Sequence, residues 1–138
     1  MEASKSEVVE VVPEDYSYVF SPYREPVARV EPGQRVVIHT EDAFESRINT
    51  ADDLPSRALA TAKFLNPQTG PIYVEGAEQG DTLAVQMESI EPKRDFAVSC
   101  YVPYFGGLTS TPLTRTLQEA LPMKVYVWNL YEAEGVVT

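Results

Sequence analysis

The chain has 138 residues, which suits one compact domain and leaves no room for two ordinary ones. Apolar residues make up 43% and charged residues 23%, so a core can be buried, while 21 acids against 11 bases leave a formal net charge of -10. That balance excludes nucleic acid and an anionic membrane surface as partners, because both need concentrated Lys and Arg, and the single cysteine, Cys100, excludes an internal disulfide.

The chain opens on a polar stretch, Met1 to Ser6, with no basic region leading into an apolar one. No run approaches the ~20 apolar residues needed to cross a bilayer, so a cytoplasmic location is the expectation. Short strands are expected at residues 7–12, 16–20 and 27–30. Glu31-Pro32-Gly33-Gln34 is a turn, with Pro presetting one dihedral and Gly permitting a positive one. It feeds a strand at 35–40, where Val36 and Ile38 point one way and Val37 and His39 the other. Asp53 is placed to cap a short helix running through Leu54 to Ala62, with Pro55 in its first turn.

A strand at 71–74 follows, then a turn at Gly80-Asp81 that opens another at 82–89. There Leu83, Val85 and Met87 share one face and Thr82, Gln86 and Glu88 the other, the pattern of a half-buried strand that ends or bulges at Ile90. The run 95–102 holds Cys100 among apolar neighbours, a place that suits a buried small hydrophobe better than a nucleophile. Thr111 and Pro112 can start a second helix, with Leu113, Leu117 and Leu121 on one face and Pro122 as its stop. The last long strand, 124–130, is apolar on both faces and should be covered on both sides. A turn over 131–135 then leads to Val136-Val137-Thr138, which reads either as the first residues of another strand, cut short, or as a frayed tail. The sum is a mainly β chain, a sandwich or barrel-like roll with two short helical inserts, expected as a single β-rich domain over 1–138.

One long stretch is distinctive. Asn66-Pro67-Gln68-Thr69-Gly70-Pro71-Ile72-Tyr73-Val74-Glu75-Gly76-Ala77, followed by Gly80-Asp81, a strand and Ile90-Glu91-Pro92, resembles the acetamidase/formamidase signature. Upstream, Val30-Glu31-Pro32-Gly33-Gln34-Arg35-Val36-Val37 and then Thr40-Glu41-Asp42-Ala43 are similar to that family's turn, strand and Asp-Ala step. Downstream, Tyr104-Phe105-Gly106-Gly107-Leu108-Thr109 and the strand at 124–130 fall in the family's order. The likeness covers roughly residues 25–135. It implies the amino-terminal part of an enzyme that hydrolyses small linear amides of the formamide or acetamide type to a carboxylate and ammonia. Family members are expected to be at least about twice this length, with more layers of structure. Their later Gly-Gly-Asn-x-Asp and Gly-Asp-x-His-Ala-x-Gln-Gly motifs do not occur here, so the resemblance implies a complementary carboxyl-terminal chain or segment, and an oligomer.

Amide hydrolysis needs an activated water or nucleophile, a stabilised oxyanion and a protonated leaving amine. The local candidates are His39, Glu41, Asp42 and Glu45, just after a strand. By resemblance Asp42 matches the Asp-Ala position, as a metal ligand or an orienter of the site. His39 is the companion ligand for a divalent metal, zinc being one candidate. On a continuous strand His39 and Glu41 share a face and Asp42 points opposite, so convergence requires a bulge or turn at Thr40. A histidine beside acids is also an ordinary hydrogen-bonding surface residue. Glu75 is a second acid placed by the signature, with a structural bond near its turn as the plainer role. Tyr104 and Phe105 suit the wall of an apolar pocket for a small amide, or the core. The competing expectation is a non-catalytic binding or assembly module on the same fold.

Overall fold

The structure, a computed structural model of the chain, describes residues 7–62, 64–106, 110, 113, 120–131 and 136–137. In chain order the described residues form β1 (Val9–Val11), β2 (Ala28–Val30), β3 (Val36–Ile38), α1 (Pro55–Thr61), β4 (Ile72–Val74), β5 (Phe96–Tyr101), β6 (Lys124–Tyr131) and β7 (Val136–Val137). They fall into two compact units, Met1–Glu45 with Phe64–Glu88 and Ser46–Lys63 with Ser89–Thr138. The chain is β-rich as expected, built from two strand pairs and a three-stranded sheet among the described residues, with no closed barrel.

The first unit is made of parallel pairs. β1 runs beside β3 with Val9 opposite Val36, and β2 runs beside β4 with Ala28 opposite Ile72. Parallel neighbours cannot be joined by a tight hairpin, and the connection from β1 to β3 accordingly carries β2 and the turn after it. That turn closes through the Gln34 amide on the Glu31 carbonyl at 3.0 Å, with Gly33 at φ +82°, as a Pro-Gly type II turn requires. The pairing continues beyond the strand ends: the Val9 amide donates to Arg35 O, and the His39 amide to Val11 O. Val11 and Val30 supply the buried side chains of the two pairs.

The strand expected at 16–20 shrinks to a single bridge, Ser17 with Gln68. The reason is local. The Ser17 hydroxyl donates to Val19 O at 2.8 Å and accepts from the Val19 amide, so a side chain occupies the backbone groups a ladder would use. The strand expected at 82–89 is a larger correction: the segment lies in no ladder, and its apolar side chains are exposed. Alternation shows that a segment suits a half-buried sheet position, but a ladder also needs a neighbour.

The second unit centres on β5 and β6, antiparallel in register from Phe96 opposite Asn129 to Tyr101 opposite Lys124. β7 adds to β6 through Leu130 opposite Val137, so Val136 and Val137 do belong to a strand. The expectation that β6 is covered on both faces is not met. Val125 is buried, but Tyr126, Val127 and Trp128 remain exposed, with the Trp128 indole donating to the Ser99 hydroxyl at 2.9 Å.

α1 is shorter than expected and is not capped by Asp53. Leu54 takes the cap position without a side-chain bond, and Pro55 begins the helix. The Asp53 carboxylate turns back to the preceding loop, where it accepts from the Asn49 amide (3.1 Å), the Thr50 amide (2.9 Å) and the Thr50 hydroxyl (3.0 Å). Two amides already arranged by the loop win over one at the helix start. Ile48, Pro55 and Ala58 are buried in this unit. The second expected helical insert lies largely outside the described residues. Among those described, no helix is long and apolar enough to cross a membrane.

Candidate active-site residues

The candidate residues of the first unit sit where β3 ends. The parallel register sets Glu10 opposite Val37 and Val11 opposite Ile38. Side chains alternate along each strand, so Glu10, Val37 and His39 share one face. His39 Nε2 lies 2.8 Å from Glu10 Oε1, both side chains being more than half exposed at 51% and 62%. The His39 carbonyl accepts the Thr69 hydroxyl at 2.6 Å. The imidazole is therefore oriented by a carboxylate, and its backbone is tied on one side to β1 and on the other to the signature stretch.

The chain then turns. The Asp42 amide donates to the Glu41 carboxylate at 3.0 Å, the Asp42 carboxylate accepts the Phe44 amide at 2.7 Å, and the Glu45 amide closes on Asp42 O at 3.0 Å. Glu45 and Ser46 follow with positive φ values of 54° and 57°. This turn spans 43–46 and so follows Asp42, whereas convergence of His39, Glu41 and Asp42 required one at Thr40. His39 meets Glu10 through the register of β1 against β3, and the Asp42 carboxylate meets the Phe44 backbone. Among the described residues, no group of three or more His, Cys, Asp or Glu side chains is arranged to hold a metal ion.

The signature stretch shows how the turn is positioned. The Asn66 amide donates to Ala43 O at 3.1 Å, Gln68 exchanges backbone bonds with Ser17, and the Arg24 guanidinium donates to Gly70 O at 3.2 Å. The Val27 amide closes on Pro71 O at 2.9 Å. The stretch thus ties together the segments at 17–27 and 39–43, and these bonds are structural. Glu75 also has a structural role: its carboxylate meets Arg29 across β2 and β4 at 3.1 Å, and the guanidinium lies over the Tyr73 ring. The hydrogen bond to Glu75, more than any other influence, raises the pKa of Arg29 above its ordinary value.

In the second unit, Tyr104 and Phe105 form the turn after β5. The Phe105 amide donates to Val102 O at 3.2 Å, Tyr104 has φ +64°, and both rings are exposed, at 55% and 76%. Neither is a core residue among those described. Burial pushes the Cys100 thiol above its ordinary pKa, which disfavours the nucleophilic thiolate.

Glu10 is the residue that sequence reasoning missed. It stands far from His39 in the chain, and only the register of β1 against β3 brings the two together. Its signal was the matching parity of two short strands, which identifies a face without naming its neighbour.

Comparison with known proteins places these features in a family. The model of the Acetamidase/Formamidase family matches residues 14–129. An acetamidase from Yersinia enterocolitica of known crystal structure is 41% identical over 92% of this chain, with a TM-score of 0.78, and the match covers 40% of that protein. An acetamidase from Bacillus halodurans superposes with a TM-score of 0.62 at 20% identity, covering 94% of this chain and 42% of that one, a likeness of fold alone. No curated protein matches. The chain thus spans about two fifths of the length of the solved proteins it resembles.

Proposed function

The chain belongs to the acetamidase/formamidase family, and from that premise we propose that it forms part of an enzyme hydrolysing small linear amides of the formamide or acetamide type. The observation that carries this reading is 41% identity to an acetamidase over 92% of the chain. The reaction adds water to the amide carbonyl and breaks the C–N bond, giving a carboxylate and ammonia. It requires proton transfer from the water and to the departing nitrogen.

This chain's contribution is the rim at 39–42. His39, held by Glu10, is a proton carrier of fixed orientation, and the Asp42 turn positions the segment that follows it. Tyr104 and Phe105 offer exposed aromatic faces suited to a small amide. The described residues do not by themselves fit a divalent metal such as zinc, since they bring no third donor to His39 or Asp42. The donors for a metal centre would have to come from outside the described residues. We assign the remaining catalytic groups to polypeptide beyond these 138 residues, whether further along the same chain or on another.

The test is ammonia release from formamide and acetamide. It is measured with the pure chain and with the chain co-expressed with the part of the Yersinia enterocolitica acetamidase outside the match. Turnover is expected only from the pair. Full turnover by the pure chain would overturn the shared site, and none from either sample would favour a non-catalytic assembly module. That second reading draws its support from the exposed apolar segment after Gly80.

A further inference from the structure

Residues 82–88 carry the side-chain alternation of a strand but have no strand beside them among the described residues. Leu83, Val85 and Met87 share one face and are 61%, 71% and 75% exposed. The segment is held at both ends. Before it, the Glu78 amide donates to the Asp81 carboxylate at 2.9 Å and the Asp81 amide to Glu78 O at 3.1 Å. At its far end Glu88 is paired with Arg35, next to β3, at 2.7 Å. Between these anchors its backbone amides and carbonyls take part in no ladder among the described residues. An anchored row of free backbone groups, flanked by a line of apolar side chains, is a template for another strand.

The identity of the occupant follows from length. The match to the Yersinia enterocolitica acetamidase takes in 92% of this chain, so nearly all of this chain has a counterpart there, yet it accounts for only 40% of the acetamidase. The larger remainder of such a protein is available to lie against this edge. We propose that residues 82–88 receive a β-strand from the polypeptide that completes an acetamidase-length protein, the apolar face of that strand meeting Leu83, Val85 and Met87. This rests on the reading above, that groups outside these residues complete the enzyme, and it identifies where they attach.

The test uses binding and hydrogen exchange, not activity, so that its failure and a failure of the amidase reading are separable. The full chain is co-expressed with the part of the Yersinia enterocolitica acetamidase outside the match, the pair is purified, and amide exchange is followed residue by residue. In the complex, alternate amides of 82–88 should exchange at least about tenfold more slowly than in the chain alone, or all of them if both edges are filled. Successive N–H groups point to opposite edges, so either Ala84→Pro or Val85→Pro should weaken the complex at least about tenfold. The segment belongs to no ladder, so both variants should keep the far-UV circular dichroism and melting temperature of the parent chain. Unchanged exchange in the complex, absence of a complex, indifference to both proline variants, or protection of the same amides by self-association of the chain alone would each overturn the proposal.

Discussion

At Asp53 one carboxylate accepts three hydrogen bonds, and the Asn49 amide, then the Thr50 amide and hydroxyl, hold its pKa below the ordinary value of 3.8. A carboxyl whose pKa is depressed by folding adds stability above its unfolded value, and loses it as pH falls through the lower, folded one. The melting temperature of the parent chain should therefore fall more steeply than that of Asp53→Asn as pH drops below about 4, and parallel pH curves would contradict this. Cys100 shifts the other way, its thiol disfavoured as a thiolate by burial. Alkylation by iodoacetamide near pH 7 should be several-fold slower than for a free thiol and should rise steadily with pH beyond 9.0. The Glu10–His39 pair is exposed, so its loss should hardly affect folding. His39→Ala is expected to leave the melting temperature within about 2 °C of the parent. In the enzyme proposed above, with His39 carrying the proton and Glu10 positioning it, His39→Ala should lower kcat by about 100-fold and Glu10→Gln should lower it less. Equal effects of the two variants on melting temperature and on kcat would reduce the pair to a structural contact.

Among the elements, the turn before β3 is the plainest case of sequence dictating backbone. Gly33 adopts φ +82°, and a Cβ placed there would meet nothing within 4 Å. The penalty of a side chain is therefore conformational, and Gly33→Ala should destabilise by about 1 kcal/mol, read from the urea midpoint. A neutral result would mean that the turn relaxes to another type. β4 and β6 were readable because each combines the right residues with a partner within the chain. The segment at 82–88 has as good an alternation as either and makes no ladder. Ser17 shows the reverse: a residue within an expected strand whose own hydroxyl takes up the backbone groups of Val19. Local chemistry decided that element, and an absent neighbour decided the other.

For the molecule as a whole, the match takes in 92% of this chain and 40% of the acetamidase, and the reading proposed above, in which further polypeptide completes the site, makes a prediction about stability. Binding to the folded state raises stability by mass action, by about 2.7 kcal/mol when the partner is at 100 times its Kd. The melting temperature of the chain should thus rise with the concentration of the co-purified acetamidase portion. A melting temperature independent of that concentration would argue that the two do not associate in the folded state.

Family, β-rich class, most strand positions and the Pro-Gly turn could all be read in the linear chain, because each depends on residues near one another or on one long motif. Contacts between distant segments belonged to the tertiary structure: Glu10 beside His39 and Asn66 on Ala43. So did the place of residues 82–88, which join no ladder among the described residues. Alternation and propensity specify what a segment can do with its own side chains. Register and the supply of partners are properties of the assembled backbone, and no local pattern encodes them.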